Sequence, residues 1–134
     1  MDKENKMESG FRINALVLVE SNFCRIANVQ FGENVKNDMN INTEVGVEDN
    51  VISVAETVTV IQKCDEIEQV KIKVKMVGIF ESVGKSQLND FDAFGRINGA
   101  AIIFPYIREH ITNLTLKSGI PAIILPPVNF TKNN

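Results

Sequence analysis

The chain of 134 residues holds one histidine and one tyrosine, and both fall in a single stretch, IIFPYIREHITNLTLKSGIP (102–121). His110 has Glu109 beside it and Asn113 three residues on, a pattern that could serve general-base chemistry. The same types also suit a half-buried or interface histidine. No second histidine exists to complete a metal site. Cys24 and Cys64 stand far apart, and Cys24, in a strand-like run, reads as a small apolar residue rather than a nucleophile. Asp65-Glu66 and the Asp90/Asp92 pair lie in polar loops and read as solvated surface. Lys71, Lys73 and Lys75 form an alternating row. Such a row is a basic patch for an acidic partner or a wet sheet face whose lysines discourage aggregation, and no aromatic residues for base stacking surround it. The sequence lacks GxGxxG, P-loop, HExxH, CxxC and GxSxG patterns. No catalytic reading follows, and no cofactor is expected.

Length and composition set the bounds. The length suits one domain, with a flexible stretch at 1–10 and a folded unit over 11–134. Apolar residues are 44% of the chain and charged residues 23%, with a formal net charge of −3. Mild acidity gives no reason to expect nucleic acid or an anionic membrane as a partner. MDKENKMESG has no apolar run of the kind a signal peptide needs, and no apolar stretch approaches a membrane span. Two isolated cysteines form no disulfide framework. The expectation is a soluble protein of a reducing cytoplasm.

The elements that must position these residues are strands first. FRINALVLVE (11–20) alternates with Phe11, Ile13, Ala15, Val17 and Val19 on one face, though Leu16 and Leu18 interrupt the polarity of the other. MNINTEVGVE (39–48) and VISVAETVTVIQ (51–62) alternate more cleanly, and VKIKVKM (70–76) most cleanly of all. Side chains alternate across a strand, so each segment has a core face and a wetter face. GENVKND, Asp49-Asn50 and KCDEIE connect them, which predicts a four-stranded antiparallel meander. Residues 82–98 read as a loop with one helical turn. A helix then follows, with Asn98 as N-cap, Ile103, Ile107, Ile111 and Leu114 as one apolar stripe, Gly119 just past its end and Pro121 forbidding continuation. Pro105 lies at its start or inside its first two turns. The fold class is α+β, with this helix packed on the sheet.

Apolar residues outnumber what one sheet and one helix would bury. The irregular crossing CRIANVQF is flanked by Phe23 and Phe31. The segment after the helix carries Ile120, Ile123, Ile124, Leu125, Val128 and Phe130, and its Pro126 and Pro127 exclude a central strand. Such a surplus points to oligomerisation or to apolar partners, or to loops that cover the sheet ends. A groove for extended apolar chain segments is expected from Phe23, Ile26, Val29 and Phe31 together with Ile123, Leu125 and Val128. The helix face bearing Tyr106, His110 and Leu116 is expected to meet another subunit.

VGIFESVG (77–84) and IIFPYIREHITNLTLKSGIPAIILPPVNF (102–130), with the F-x-I opening at Phe11 and Ile13, resemble the SecB family of bacterial protein-export chaperones. The resemblance extends from Phe11 to Phe130. It implies a four-stranded antiparallel sheet carrying a long helix, a homotetramer built as a dimer of dimers, and an ATP-independent holdase. Such a holdase keeps unfolded or precursor polypeptides competent for translocation and hands them to SecA. Family members continue after P-V-N-F into a second helix and an acidic tail, whereas this sequence ends at Asn134. That bears on groove depth and weakens the case for docking a zinc-bearing SecA C-terminus. The translocase-facing positions fall on Glu20, Cys24 and Lys73, where only the first is acidic; a charge-complementary dock would lose contacts there. Some relatives protect an antitoxin instead. The rival reading is a cystatin-like α+β binding module with one defined ligand.

Overall fold

The computed structural model describes residues 10–83 and 90–131; most of the predicted flexible stretch and part of the 82–98 loop lie outside these. Four long strands, β1 (Phe11–Arg25), β2 (Val35–Glu48), β3 (Val51–Cys64) and β4 (Ile67–Ser82), make one antiparallel sheet. β2, β3 and β4 are joined by two-residue turns. Asp49 (φ 56°), and Asp65 and Glu66 (φ 49° and 71°), take the left-handed conformations that tight hairpins require.

The order across the sheet is β1-β4-β3-β2, which corrects the expected full meander: only β2-β3-β4 is one, and β1 lies beside β4 in a Greek-key arrangement. The reason lies in residues 26–34, which cross the sheet end rather than turn back. A polar ladder holds them. Ile26 N donates to Gln69 O at 3.0 Å. Gln30 N donates to Gln69 Oε1 at 2.9 Å, and Gln69 Nε2 donates to Gln30 O at 2.8 Å and to Gln62 Oε1 at 2.9 Å. Gln62 Nε2 donates in turn to Asn37 Oδ1 at 3.0 Å. The ladder thus links the crossing to β4, β3 and β2. Buried amides persist only when so satisfied.

β1 also departs from its simple alternation. Its pairing with β4 slips between Ile13 and Ala15 and between Leu18 and Glu20, leaving Asn14 and Val19 as extra residues at two bulges. Each bulge reverses the phase. Phe11 and Ile13, then Leu16 and Leu18, then Ser21 and Phe23 therefore share the helix-facing side, while Ala15 and Val17 lie on the other. Asn14 and Arg12 both donate to Glu81 Oε1 at 3.0 Å and hold that carboxyl below its ordinary range.

The helical run starts earlier than expected. Asp90, not Asn98, is the N-cap, its Oδ1 accepting from Ala93 N at 3.0 Å. A short α1 (Phe91–Phe94) leads through a π-helical turn, Gly95–Gly99, into α2 (Ala100–Lys117). Pro105 sits inside α2; the carbonyl it leaves without a helical partner belongs to Ala101, on the exposed side. The π-turn glycines allow close approach: a Cβ at Gly95 would lie 2.8 Å from Val45 Cγ1, and one at Gly99 would lie 2.9 Å from Val54 Cγ2. The helix ends at Ser118 with Gly119 at φ 77°. There Arg25, from the end of β1, donates to the Ser118 carbonyl.

Ile103, Ile107 and Ile111 are fully buried against the sheet, and Leu114 packs beside them. Each fully buried isoleucine contributes roughly 1.5–3 kcal/mol before chain entropy. The segment after α2 doubles back along the helix. Ile123 N donates to Thr115 Oγ1 at 3.0 Å and Ile123 O accepts from Thr112 Oγ1 at 2.8 Å, while Phe130 meets Phe104 edge-on at 5.8 Å between ring centres. The strapped segment buries Ile120, Ile123, Leu125 and Phe130.

Replacing Gly95 by alanine is expected to lower stability by about 1–3 kcal/mol in chemical denaturation, because the added methyl overpacks Val45. At an exposed helical glycine the same change would stabilise, so a gain would contradict the close-packing account.

Candidate functional site

The two irregular segments singled out as the client groove do meet. Phe31 and Gly32 from the crossing, Val35, Asn37 and Gln62 from the sheet end, and Pro121, Ala122 and Ile123 from the strap line one cleft of about 230 Å³. Its exposed apolar edge is Phe31, 61% accessible, and Ile26 lies nearby in the chain, also exposed. Other expected groove residues are not available to a client. Val29, Ile123 and Leu125 are buried in the chain's own core, because the strap is pinned to Thr112 and Thr115 and must fill the space beside α2. Phe23 and Val128 are half-buried and pack against that core. The surface that remains for an apolar ligand is narrower than the residue list from sequence.

The outer side of α2 carries a second apolar strip. Ile102, Tyr106 and Leu116 are exposed, and Ile124, on the strap, is 75% accessible. Pro105, Arg108, Glu109, Thr112, Asn113, Leu116 and Ile124 line a groove of about 420 Å³ along it. His110, expected on the same face, is half-buried and shares a 2.9 Å hydrogen bond between its Nε2 and Ser21 Oγ of β1. Its bonded partner is its own sheet.

On the outer face of the sheet, Glu20, Cys24 and Lys73 come together around a cleft of about 360 Å³ with Asn22 and Lys71. Lys73 Nζ lies 3.6 Å from Glu20 Oε2, which also accepts from Asn22 Nδ2 at 2.6 Å. The one acidic residue of the trio is thus neutralised within the chain. An exposed pair of this kind adds little stability, but it removes the charge that a basic partner would use. Among the described residues no three His, Cys, Asp or Glu side chains gather as a metal site would require. Among the described residues, no helix is long and apolar enough to cross a membrane.

One residue escaped the sequence reading. Glu56 occupies the inward phase of β3 between Val54 and Val58, is fully buried, and among the described residues neither carboxyl oxygen has a hydrogen-bond partner. Desolvation pushes its carboxyl up to about 8. The signal was present: the alternation Ile52, Val54, Val58, Val60 runs straight through position 56.

Comparison with known proteins bears directly on this arrangement. The chain is 33% identical over 101 residues to an uncharacterized protein of Methanocaldococcus jannaschii, covering 72% of this chain and 64% of that one. It is 34% identical over 89 residues to the protein-export protein SecB of Methylobacillus flagellatus, covering 66% of this chain and 56% of that one. The chain therefore spans less than two thirds of the length of these relatives. Its fold resembles that of a Mycobacterium tuberculosis SecB-like chaperone solved with a peptide of the HigA1 antitoxin, with a TM-score of 0.77 at 13% identity over 92% of this chain and 95% of that one. The family model described as preprotein translocase subunit SecB matches residues 9–132. With the four-stranded antiparallel sheet, the long packed helix and the FPYIRE and PVNF blocks all in place, the chain belongs to the SecB family.

Proposed function

We propose that this protein is an ATP-independent holdase that binds unfolded or precursor polypeptides in the cytoplasm and keeps them competent for export. The observation that carries the reading is the cleft between the crossing and the strap, with Phe31 exposed at its edge and Ile26 exposed in the same crossing; such a site needs no regular secondary structure in its ligand. Burial of client side chains against such residues is non-directional and tolerates many sequences. It favours unfolded over native chains, since only the former expose apolar segments. Family membership and a fold shared with a peptide-bound chaperone support the reading. No catalytic step is assigned.

The proposal revises the groove to Ile26, Phe31, Pro121 and Ala122, with Phe23 and Val128 at its margins and Val29, Ile123 and Leu125 as its supporting core. It also assigns the outer strip of α2, Ile102, Tyr106 and Leu116 with Ile124, to contacts between copies in a homotetramer. Several grooves on one particle raise the effective concentration for a long client. Delivery to SecA would meet a surface on which Glu20 is already paired with Lys73, so handover does not rest on acidic steering there.

Phe31→Asp is expected to reduce suppression of aggregation of an unrelated unfolded protein several-fold in light scattering, with the unfolding midpoint nearly unchanged. Leu125→Asp is expected to unfold the protein, because it buries a charge. Full holding activity in Phe31→Asp would remove the cleft from the account. Separately, sedimentation of the wild type at micromolar concentration is expected to give a tetramer and of Tyr106→Glu/Leu116→Glu a smaller species; a monomeric wild type would refute the assembly assignment.

A further inference from the structure

Glu56 has no role in the reading above, yet its placement is costly. It stands on the inner strand β3, on the face covered by α2, with Thr43 opposite on β2 and Met76 opposite on β4. Val54 and Val58 flank it on the same face, both fully buried. None of these four titrates. Ala100, Ile103, Phe104, Ile107, Ile111 and Thr115, the buried residues of α2, do not titrate either, and residues 118–131 contain no acid or base.

Among the described residues, charged groups approach this layer only at its margins. Arg96, in the π-turn, donates from Nη1 to the Thr43 carbonyl at 3.3 Å, while its Nε donates to Asp92 Oδ2 at 2.8 Å. His110 is held by Ser21 on β1. Arg25 is tied to the end of α2. Arg108 and Glu109 line the outer groove instead.

An ionised carboxylate in such a place is closed off from bulk water and, among the described residues, has no hydrogen-bond partner, so the closed layer favours the neutral acid. Ionisation is relieved when α2 and its strap loosen, admitting water or the Arg96 guanidinium from the adjacent edge. We propose that Glu56 is a charge-driven release for the helical layer: as a neutral acid it lets α2 lie closed on the sheet, and as a carboxylate it drives α2 to loosen. The device stands whatever the exposed surfaces are used for.

The sign follows from the two states. In the open form the carboxyl titrates near its ordinary 4.5, and in the closed form near 8. Between those values the open form binds fewer protons, so rising pH favours opening by about tenfold per pH unit. Below the lower value both forms are protonated, above the upper one both are ionised, and the dependence vanishes.

The test is hydrogen exchange of the α2 amides, corrected for the intrinsic pH dependence of exchange, from about pH 5 to about pH 9. The wild type is expected to show opening that rises about tenfold per unit and levels off near the upper end. Glu56→Leu is expected to open less at every pH and to lose the slope, and Glu56→Gln to lose the slope alone. If Glu56→Gln fails to fold, because it leaves an amide in the apolar layer, Glu56→Leu decides by itself. A wild type without a slope, or a Glu56→Leu variant that keeps it, overturns the proposal.

Discussion

Everything in this molecule follows from one coverage problem: a broad four-stranded sheet with one apolar face, and a single long helix to close it. Helix and sheet must approach closely to exclude water, and Gly95 and Gly99 permit that where Val45 and Val54 would strike a Cβ. One helix is still too narrow for strands of 14 to 16 residues. The strap after α2 therefore supplies Ile120, Ile123, Leu125 and Phe130 to the remainder, held by two threonine hydroxyls. An irregular segment in a core would ordinarily strand backbone polar groups. Thr112 and Thr115 prevent this at Ile123.

The same geometry decides what is left exposed. The strap and the crossing are both brought to one end of the sheet, where Gln62 and Gln69 fix the crossing in place. Side chains pointing inward there become core, and those pointing outward, Phe31 and Ile26, become sticky surface. On the outer side of α2 the logic repeats with Tyr106, Leu116 and Ile124. Apolar surplus in the composition is thus divided between filling a wide sheet and forming exposed strips, and consecutive residues of the strap, Ile123 and Ile124, take opposite fates.

Much of the architecture was legible because periodicity reports burial directly. β3 alternates from Val51 to Gln62 and β4 from Val70 to Val74, and the stripe of α2 lands on the sheet as its spacing requires. What sequence could not show was non-local. Strand order depends on where residues 26–34 travel, which Gln69 settles through partners up to 43 positions away along the chain. The two bulges of β1 read in sequence only as impurity at Leu16 and Leu18. The early helix start was masked by Gly95 and Gly99, residues that argue against helix unless close packing is known. The groove was half legible: the right segments were named, but alternation within an irregular strap has no fixed period, so Ile123 and Leu125 could not be separated from their exposed neighbours. Tyr106 and Leu116 were found on the exposed side of α2, whereas the bond from His110 to Ser21 depends on a bulge that shifts the phase of β1.

The central claim is that the junction of crossing and strap grips unfolded chains. Hydrogen exchange mapped with and without a permanently unfolded polypeptide tests it most directly. Slowed exchange is predicted at the amides of Phe31, Gly32 and Ala122, with the lysine-bearing outer face of β4 unaffected. Protection confined to Lys71, Lys73 and Lys75, or protection nowhere, would contradict it.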